Sequence, residues 1–253
     1  MNIKQLITLV TIIFAGLAVA LQAETNDLHL FILSGQSNMA KLNHKVSFLP
    51  TVEKEFSAQN VIVVKDAHGA QPIRRWYKKW KPAEGVPVVD RHASSGWYKR
   101  LKEKRGINGD DHKDANGVEL IPQGVFYETL MEAVEEKLGD KKPTTITFVW
   151  MQGESDAKDH YAVYAESFKG LVQQLRDDLN HKDINVVIGR ITDSKLGNPG
   201  TYTDNQPAFD TALLNDRFAC FSLNTKRQQK QSAHRTHKPS FHNPISAFGI
   251  IIY

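Results

Sequence analysis

The stretch Leu28-His29-Leu30-Phe31-Ile32-Leu33-Ser34-Gly35-Gln36-Ser37-Asn38-Met39 decides how the rest of the chain is read. Its first six residues form a short apolar run that stops at Ser34-Gly35, the pattern of a strand buried on both faces. Ser37 then stands on a tight turn from strand into helix. A serine there exposes its hydroxyl, and the first free N–H groups of the following helix can hold an anionic oxygen. The same position suits an N-cap serine, so the turn by itself leaves nucleophile and cap both open.

Working outward, Val61–Val64, Thr144–Trp150 and Ile184–Ile188 repeat the short apolar run, the third of these four strands being β-branched and aromatic. Helical stripes lie between them. Val125, Phe126, Leu130, Val134 and Leu138 recur at three-to-four spacing and stop at Gly139, and Tyr164, Phe168, Leu171, Val172, Leu175 and Leu179 form a second stripe. Strands that are apolar throughout, alternating with helices, predict a parallel sheet covered on both faces, with the ligand at the carboxyl ends of the strands. The segment from about Trp80 to Gly124 is rich in Lys, Asp, Gly and Pro and reads as a long excursion on the ligand side or a solvated insertion.

The second strand runs into Asp66-Ala67-His68-Gly69-Ala70-Gln71-Pro72-Ile73-Arg74-Arg75-Trp76, where Gly69 can turn its N–H into the crevice beside Ser37. His68 invites a reading as general base, against the plainer reading of a polar residue on a surface turn. The third strand runs into Trp150-Met151-Gln152-Gly153-Glu154-Ser155-Asp156. The Gln152 amide can donate to a developing oxyanion and Glu154 can accept from an imidazole, while Ser155 and Asp156 also suit the first turn of a following helix. Arg74 and Arg75 could meet the carboxylate of an acidic sugar, although charged side chains more commonly face solvent. Trp76, Tyr77, Trp80, Trp97 and Tyr98 could stack on sugar rings or anchor loop and core.

Gly-Gln-Ser-Asn-Met after the first strand, Ala-x-Gly-x-x-x-Ile-x-x-Trp after the second and Gln-Gly-Glu-x-Asp after the third resemble the sialate O-acetylesterase domain and the carbohydrate esterase family 6 acetylxylan esterases of the SGNH-hydrolase superfamily. The resemblance spans roughly 27–193. It implies a three-layer α/β/α flavodoxin-like fold with a central parallel sheet, and removal of acetyl groups from sugars without a metal or other cofactor. It also implies site roles: Ser37 as nucleophile; the Ser37 N–H, the Gly69 N–H and the Gln152 side chain as oxyanion hole; and Glu154 as acid partner of the catalytic histidine. Ala70 departs from the pattern, which often has a second glycine there. So does the C-terminus: the family's Asp-x-x-His does not occur after residue 181, and its nearest analogue there is His242, with Pro239 in the place of the aspartate. His234 and His237 match less well.

The 253 residues are 41% hydrophobic and 24% charged, enough for one sizeable core. Residues 1–23 read as a secretory signal with an apolar run from Leu6 to Leu21, and cleavage is expected after Ala20 or Ala23. The run falls short of the roughly 20 residues a membrane span needs, so an exported protein without stable membrane insertion is expected. Cys220 is the only cysteine, which excludes an internal disulfide. The formal net charge of +4 is more than accounted for by Lys4 and by Arg217, Lys226, Arg227, Lys230, Arg235 and Lys238 of a tail that has no acid after Asp216. The body is therefore net acidic and gives a nucleic-acid partner no support. Residues 24–204 are expected to form the esterase-like domain, and 205–253 a poorly ordered basic tail, or one read in an altered frame, in which no strand or helix is evident before Ile250.

These observations leave two functions. The first is a carbohydrate O-acetylesterase acting on sialic acid, xylan or a related acetylated glycan through an acyl-serine. The second is a glycan-binding relative that has lost its base. A lipase-like esterase is a weaker third.

Overall fold

The computed structural model describes residues 27–157 and 159–190, together with the backbone of 218–222. The signal segment, His234, His237 and His242 lie outside the described residues. Five parallel strands form one sheet: β1 (His29–Gly35), β2 (Val61–Ala67), β3 (Thr145–Met151), β4 (Ile184–Arg190) and β5 (Phe218–Ser222), in the order β2-β1-β3-β4-β5. The four strands expected from the apolar runs are all present. β5 is the addition, in a segment where the sequence shows no strand period. Its five residues gain their strand conformation by pairing with β4.

The sheet is the middle of three layers because its strands are apolar on both sides. Phe31, Leu33, Val149 and Met151 point to one face, where they meet Met39 of α1 (Ser37–Lys41) and Phe48 and Val52 of α2 (Phe48–Phe56). Leu30, Ile32, Phe148 and Trp150 point to the other. There they pack against α4 (Val125–Leu138) and α5 (Tyr164–Asp178), the two helices whose stripes the sequence displays. Gly139 caps α4 as expected, its N–H donating to Glu135 O at 2.9 Å.

The excursion after Trp80 carries a further helix, α3 (Gly96–Arg105). It starts at Ser95, whose Oγ accepts from the Tyr98 N–H at 3.4 Å, and stops at left-handed Gly106. The excursion is tied to the sheet by a buried charge cluster. Asp90, with 2% of its side chain exposed, accepts from Arg74 Nη2 at 2.9 Å, from Arg75 Nη2, and from the Ile121 N–H at 2.7 Å. Arg75 also donates to Ile121 O at 2.9 Å and Arg74 to Val89 O at 2.9 Å. Neither arginine faces solvent, and both are occupied by protein acceptors. Trp76, Trp80 and Tyr98 are buried in the core, so loop and core anchoring accounts for these three; Tyr77 and Trp97 are half-buried.

Gly35 closes β1 in a way that only glycine permits. Its φ of 137° is unfavourable for any other residue, and an added Cβ would lie 2.1 Å from Met151 O. Gly35→Ala is expected to destabilise the fold by about 4 kcal/mol or more, a large part of a typical margin of roughly 5–15 kcal/mol. Urea titration would show it as a lowered midpoint at unchanged slope, and a shift under about 1 kcal/mol would contradict the close approach.

Candidate active site

The strand register assembles the site. Gly35 is level with Ala67 on one side and with Met151 on the other, so the three strands end together and Gln36, His68 and Gln152 leave the sheet at one height. The junction is tied directly: the Gln36 N–H donates to Met151 O at 2.8 Å and the His68 N–H to Gly35 O at 3.0 Å. Above these bonds the three sequence motifs meet.

Ser37 is the first residue of α1 and is half-buried, and no side chain caps that helix. The cap reading of this serine therefore has no hydrogen bond behind it. Its immediate neighbours fasten the turn to the end of β3. Asn38 Nδ2 donates to Glu154 Oε1 at 2.7 Å, and the Ser155 N–H donates to Gln36 Oε1 at 3.3 Å. At the far end of α1, Lys65 Nζ donates to Ala40 O at 2.9 Å and Leu42 O at 2.6 Å, so that a five-residue helix is held at both ends.

Gly69 faces Ser37: a Cβ built on it would lie 3.9 Å from Ser37 Cβ, an ordinary contact. The left-handed residue of this turn is Ala70, at φ 56°, rather than Gly69. The turn that the resemblance leads one to expect with a second glycine is therefore adopted by alanine, at a steric cost of about 1–2 kcal/mol. Gln71 Nε2 braces it by donating to Gly69 O at 3.2 Å.

Gln152 and Asp156 form a buried pair at the end of β3. Gln152 Nε2 donates to Asp156 Oδ2 at 2.5 Å and to Gln71 O at 3.1 Å, while Tyr164 Oη donates to Gln152 O at 2.8 Å and accepts from Trp150 Nε1 at 3.0 Å. Asp156 Oδ2 also accepts from the Ile73 N–H at 2.8 Å. Asp156 is not a first-turn acid, since the next helix begins only at Tyr164, after a 3₁₀ turn at Tyr161–Val163. Burial raises its carboxyl to about 6; the bonds from Gln152 and Ile73 and the charges of Arg74 and Arg75 act the other way. Burial likewise raises Glu154, whose Oε2 is buried without a hydrogen-bond partner among the described residues.

Among the sequence-predicted site residues, Ser37, Gly69, Gln152 and Glu154 are thus gathered at one end of the sheet. Asn38 and Asp156 join them without a site role having been assigned to either from the sequence, although both stand inside the quoted motifs; their roles depend on which oxygen or nitrogen they reach. Glu154 is engaged by Asn38, and its expected imidazole, His242, lies outside the described residues. Among the described residues no three His, Cys, Asp or Glu side chains group as metal ligands.

The raised carboxyl of Asp156 makes stability depend on pH. The folded state holds its proton up to about 6, against about 4 for an unfolded aspartate. Its stabilising contribution is therefore full below about pH 4 and is lost as pH rises through about 6. Relative to Asp156→Asn, the wild type should lose on the order of 2 kcal/mol between about pH 4 and pH 7. Parallel chemical denaturation of the two proteins across that range measures the difference, and parallel curves would refute it.

Two solved structures are similar to the chain. One is a protein from Arabidopsis thaliana, with 18% identity over 79% of this chain and 88% of that one and a TM-score of 0.42. The other is NanS, with 14% identity over 79% of each chain and a TM-score of 0.45. No curated protein matches. The family described as carbohydrate esterase, sialic acid-specific acetylesterase matches residues 41–242, a span that begins just after the Ser37 turn, takes in the second and third motifs and ends on His242. The chain therefore belongs to the carbohydrate esterase family of sialic acid-specific acetylesterases.

Proposed function

We propose that the protein is an exported carbohydrate O-acetylesterase that hydrolyses acetyl esters on sialic acid or a related glycan through an acyl-enzyme on Ser37. The observation that carries this reading is the junction of the first and third motifs. Asn38 and Glu154 are bonded at 2.7 Å, and the Gly69 backbone stands against Ser37 in the same crevice. Family membership supplies the substrate class. The apolar run from Leu6 to Leu21 supports export.

In this mechanism His242 takes the Ser37 hydroxyl proton as Oγ attacks the acetyl carbonyl, forming one C–O bond and a tetrahedral oxyanion. The backbone N–H groups of Ser37 and Gly69 receive the oxyanion. Gln152 joins them when the N–H that now meets Gln71 O at 3.1 Å, the longer of its two bonds, turns to the substrate. Collapse breaks the ester bond and the sugar oxygen leaves with the proton from the imidazole. Water then hydrolyses the acetyl-serine by the same route. No metal enters any of these steps. His242 is assigned as the base because it is the nearest analogue of the family's histidine, and Glu154, bonded to the residue next to the nucleophile, is the acid proposed to orient it.

A second reading has its own observation: no Asp-x-x-His stands in the C-terminal part of the chain, and Asp178-Leu179-Asn180-His181 lies at the opposite end of the sheet from Ser37, where Asp178 accepts from Tyr127 Oη and His181 meets Thr144 O just before β3. Without a functioning base the crevice would bind acetylated glycan and turn it over no better than about 10³-fold above water. Hydrolysis of p-nitrophenyl acetate by the mature protein, with Ser37→Ala and His242→Ala as controls, separates the two. The esterase reading expects each variant to lose at least about 10³-fold in kcat. A wild-type rate equal to that of Ser37→Ala leaves the binder, and full activity in His242→Ala removes that residue from the mechanism.

A further inference from the structure

We propose that His68 is a substrate-contacting residue, whose imidazole hydrogen-bonds a hydroxyl of the sugar carrying the scissile acetyl group. The proposal rests on the reading of the Ser37 crevice as a sugar-ester site and adds to it a residue that recognises the sugar.

The imidazole is built into its place. Its ring stacks on Phe126 at 3.7 Å between centroids and 6° between planes, and Trp97 packs on the same Phe126 at 5.1 Å. Nε2 lies 2.8 Å from Asp66 Oδ1, off the line of a ring N–H bond, so charge and dipole attraction hold the pair. Asp66 is itself fixed: its Oδ2 accepts from Thr129 Oγ1 at 2.7 Å and its carbonyl from Ser34 Oγ at 2.7 Å. A solvated turn histidine has no need of such a frame. Because each parallel strand starts at the same end of the sheet, α4, which leads back to β3, must begin at the carboxyl end, and Phe126 is its second residue. The His68 ring therefore stands at the level of Ser37.

Its two nitrogens differ. Nε2 is the buried one, and the Asp66 carboxylate favours a proton there. Nδ1 is on the open side, makes no hydrogen bond among the described residues, and is then an acceptor for an O–H group. The side chain is 31% exposed, enough for a ligand to reach it. Gly69, the next residue, faces Ser37, whereas His68 leans the other way onto Phe126. The imidazole thus lies across the Gly69 turn from Ser37, on the α4 side of the strand ends, and is suited to the alcohol side of the ester, a sugar ring with free hydroxyls. Among the described residues, the charged group that packs against it is Asp66; Trp76 and Phe126 are neutral, as is Thr129 behind Asp66.

The test uses two variants chosen to fold. His68→Phe preserves the stack on Phe126 and removes both nitrogens; His68→Asn puts an amide close to the Nδ1 position. In a Ser37→Ala background, which cannot turn over, calorimetric titration with O-acetylated sialic acid should give a Kd about tenfold weaker for His68→Phe, with partial recovery in His68→Asn. In the Ser37 enzyme, the ratio of kcat/KM on that sugar to kcat/KM on p-nitrophenyl acetate should fall about tenfold in His68→Phe. A Kd within twofold of the parent, or an unchanged ratio, overturns the proposal. So does equal loss of both substrates by three orders of magnitude, which would make His68 the base. Absence of Ser37-dependent turnover with the tenfold change in Kd preserved would sink the esterase reading and leave His68 as a sugar contact.

Discussion

The site exists because three parallel strands stop at the same height, and the chain can turn out of β1 there because position 35 is a glycine at φ 137°. Met151 O occupies the space that a side chain at position 35 would need, and it is also the acceptor for the Gln36 N–H at 2.8 Å. That contact fixes the direction in which the chain leaves β1. Ser37, the Gly69 turn and the Gln152–Glu154 segment then converge without a long lever arm between them. Three further contacts reinforce the junction: Asn38 to Glu154, Ser155 to Gln36, and Lys65 at the far end of α1.

A second constraint is electrostatic. Arg74 and Arg75 are buried beside Asp90, and Asp156 lies fully buried within their field. Taking such charges out of water is costly, and their pairing recovers the cost only when remaining donors and acceptors are satisfied. Here much of the satisfaction comes from backbone: Ile121 N–H and C=O, Val89 C=O and Ile73 N–H. The cluster therefore locks the excursion after Trp80 to the motif-bearing end of the sheet by a requirement more specific than apolar contact. The same requirement sets Gln152, since the carboxylate that accepts from its amide also accepts from Ile73.

The motif residues had more than one role open to them until their partners were known. Asp156 reads along the chain as a helix-start acid, and Arg74 and Arg75 read as sugar ligands or solvent-facing charges. In three dimensions Asp156 holds Gln152 and the Ile73 N–H, and the arginines hold the excursion. Glu154 reads as a partner for an imidazole, and its Oε1 meets Asn38. Ala70 reads as a departure that disturbs the turn, yet the backbone takes the left-handed conformation there all the same. For Asp156, the arginines and Glu154 the side-chain chemistry was legible and the partner was not, because Ile73, Asp90 and Asn38 lie 15 to 116 residues away in the chain.

The sequence by itself determined the parallel sheet, the two long helices and the three strand-end motifs, because these rest on local apolar periodicity and on residues that chemistry tolerates in few other places. It also carried the family resemblance. What only the tertiary structure decided was the pairing of Asn38 with Glu154 and of Gln152 with Asp156, the burial of the arginines, the framing of His68 by Phe126 and Asp66, and the strand Phe218–Ser222. A hydrogen bond or a strand pairing is a property of two segments brought within about 3 Å by the whole fold, and no period within one segment encodes which other segment it will meet.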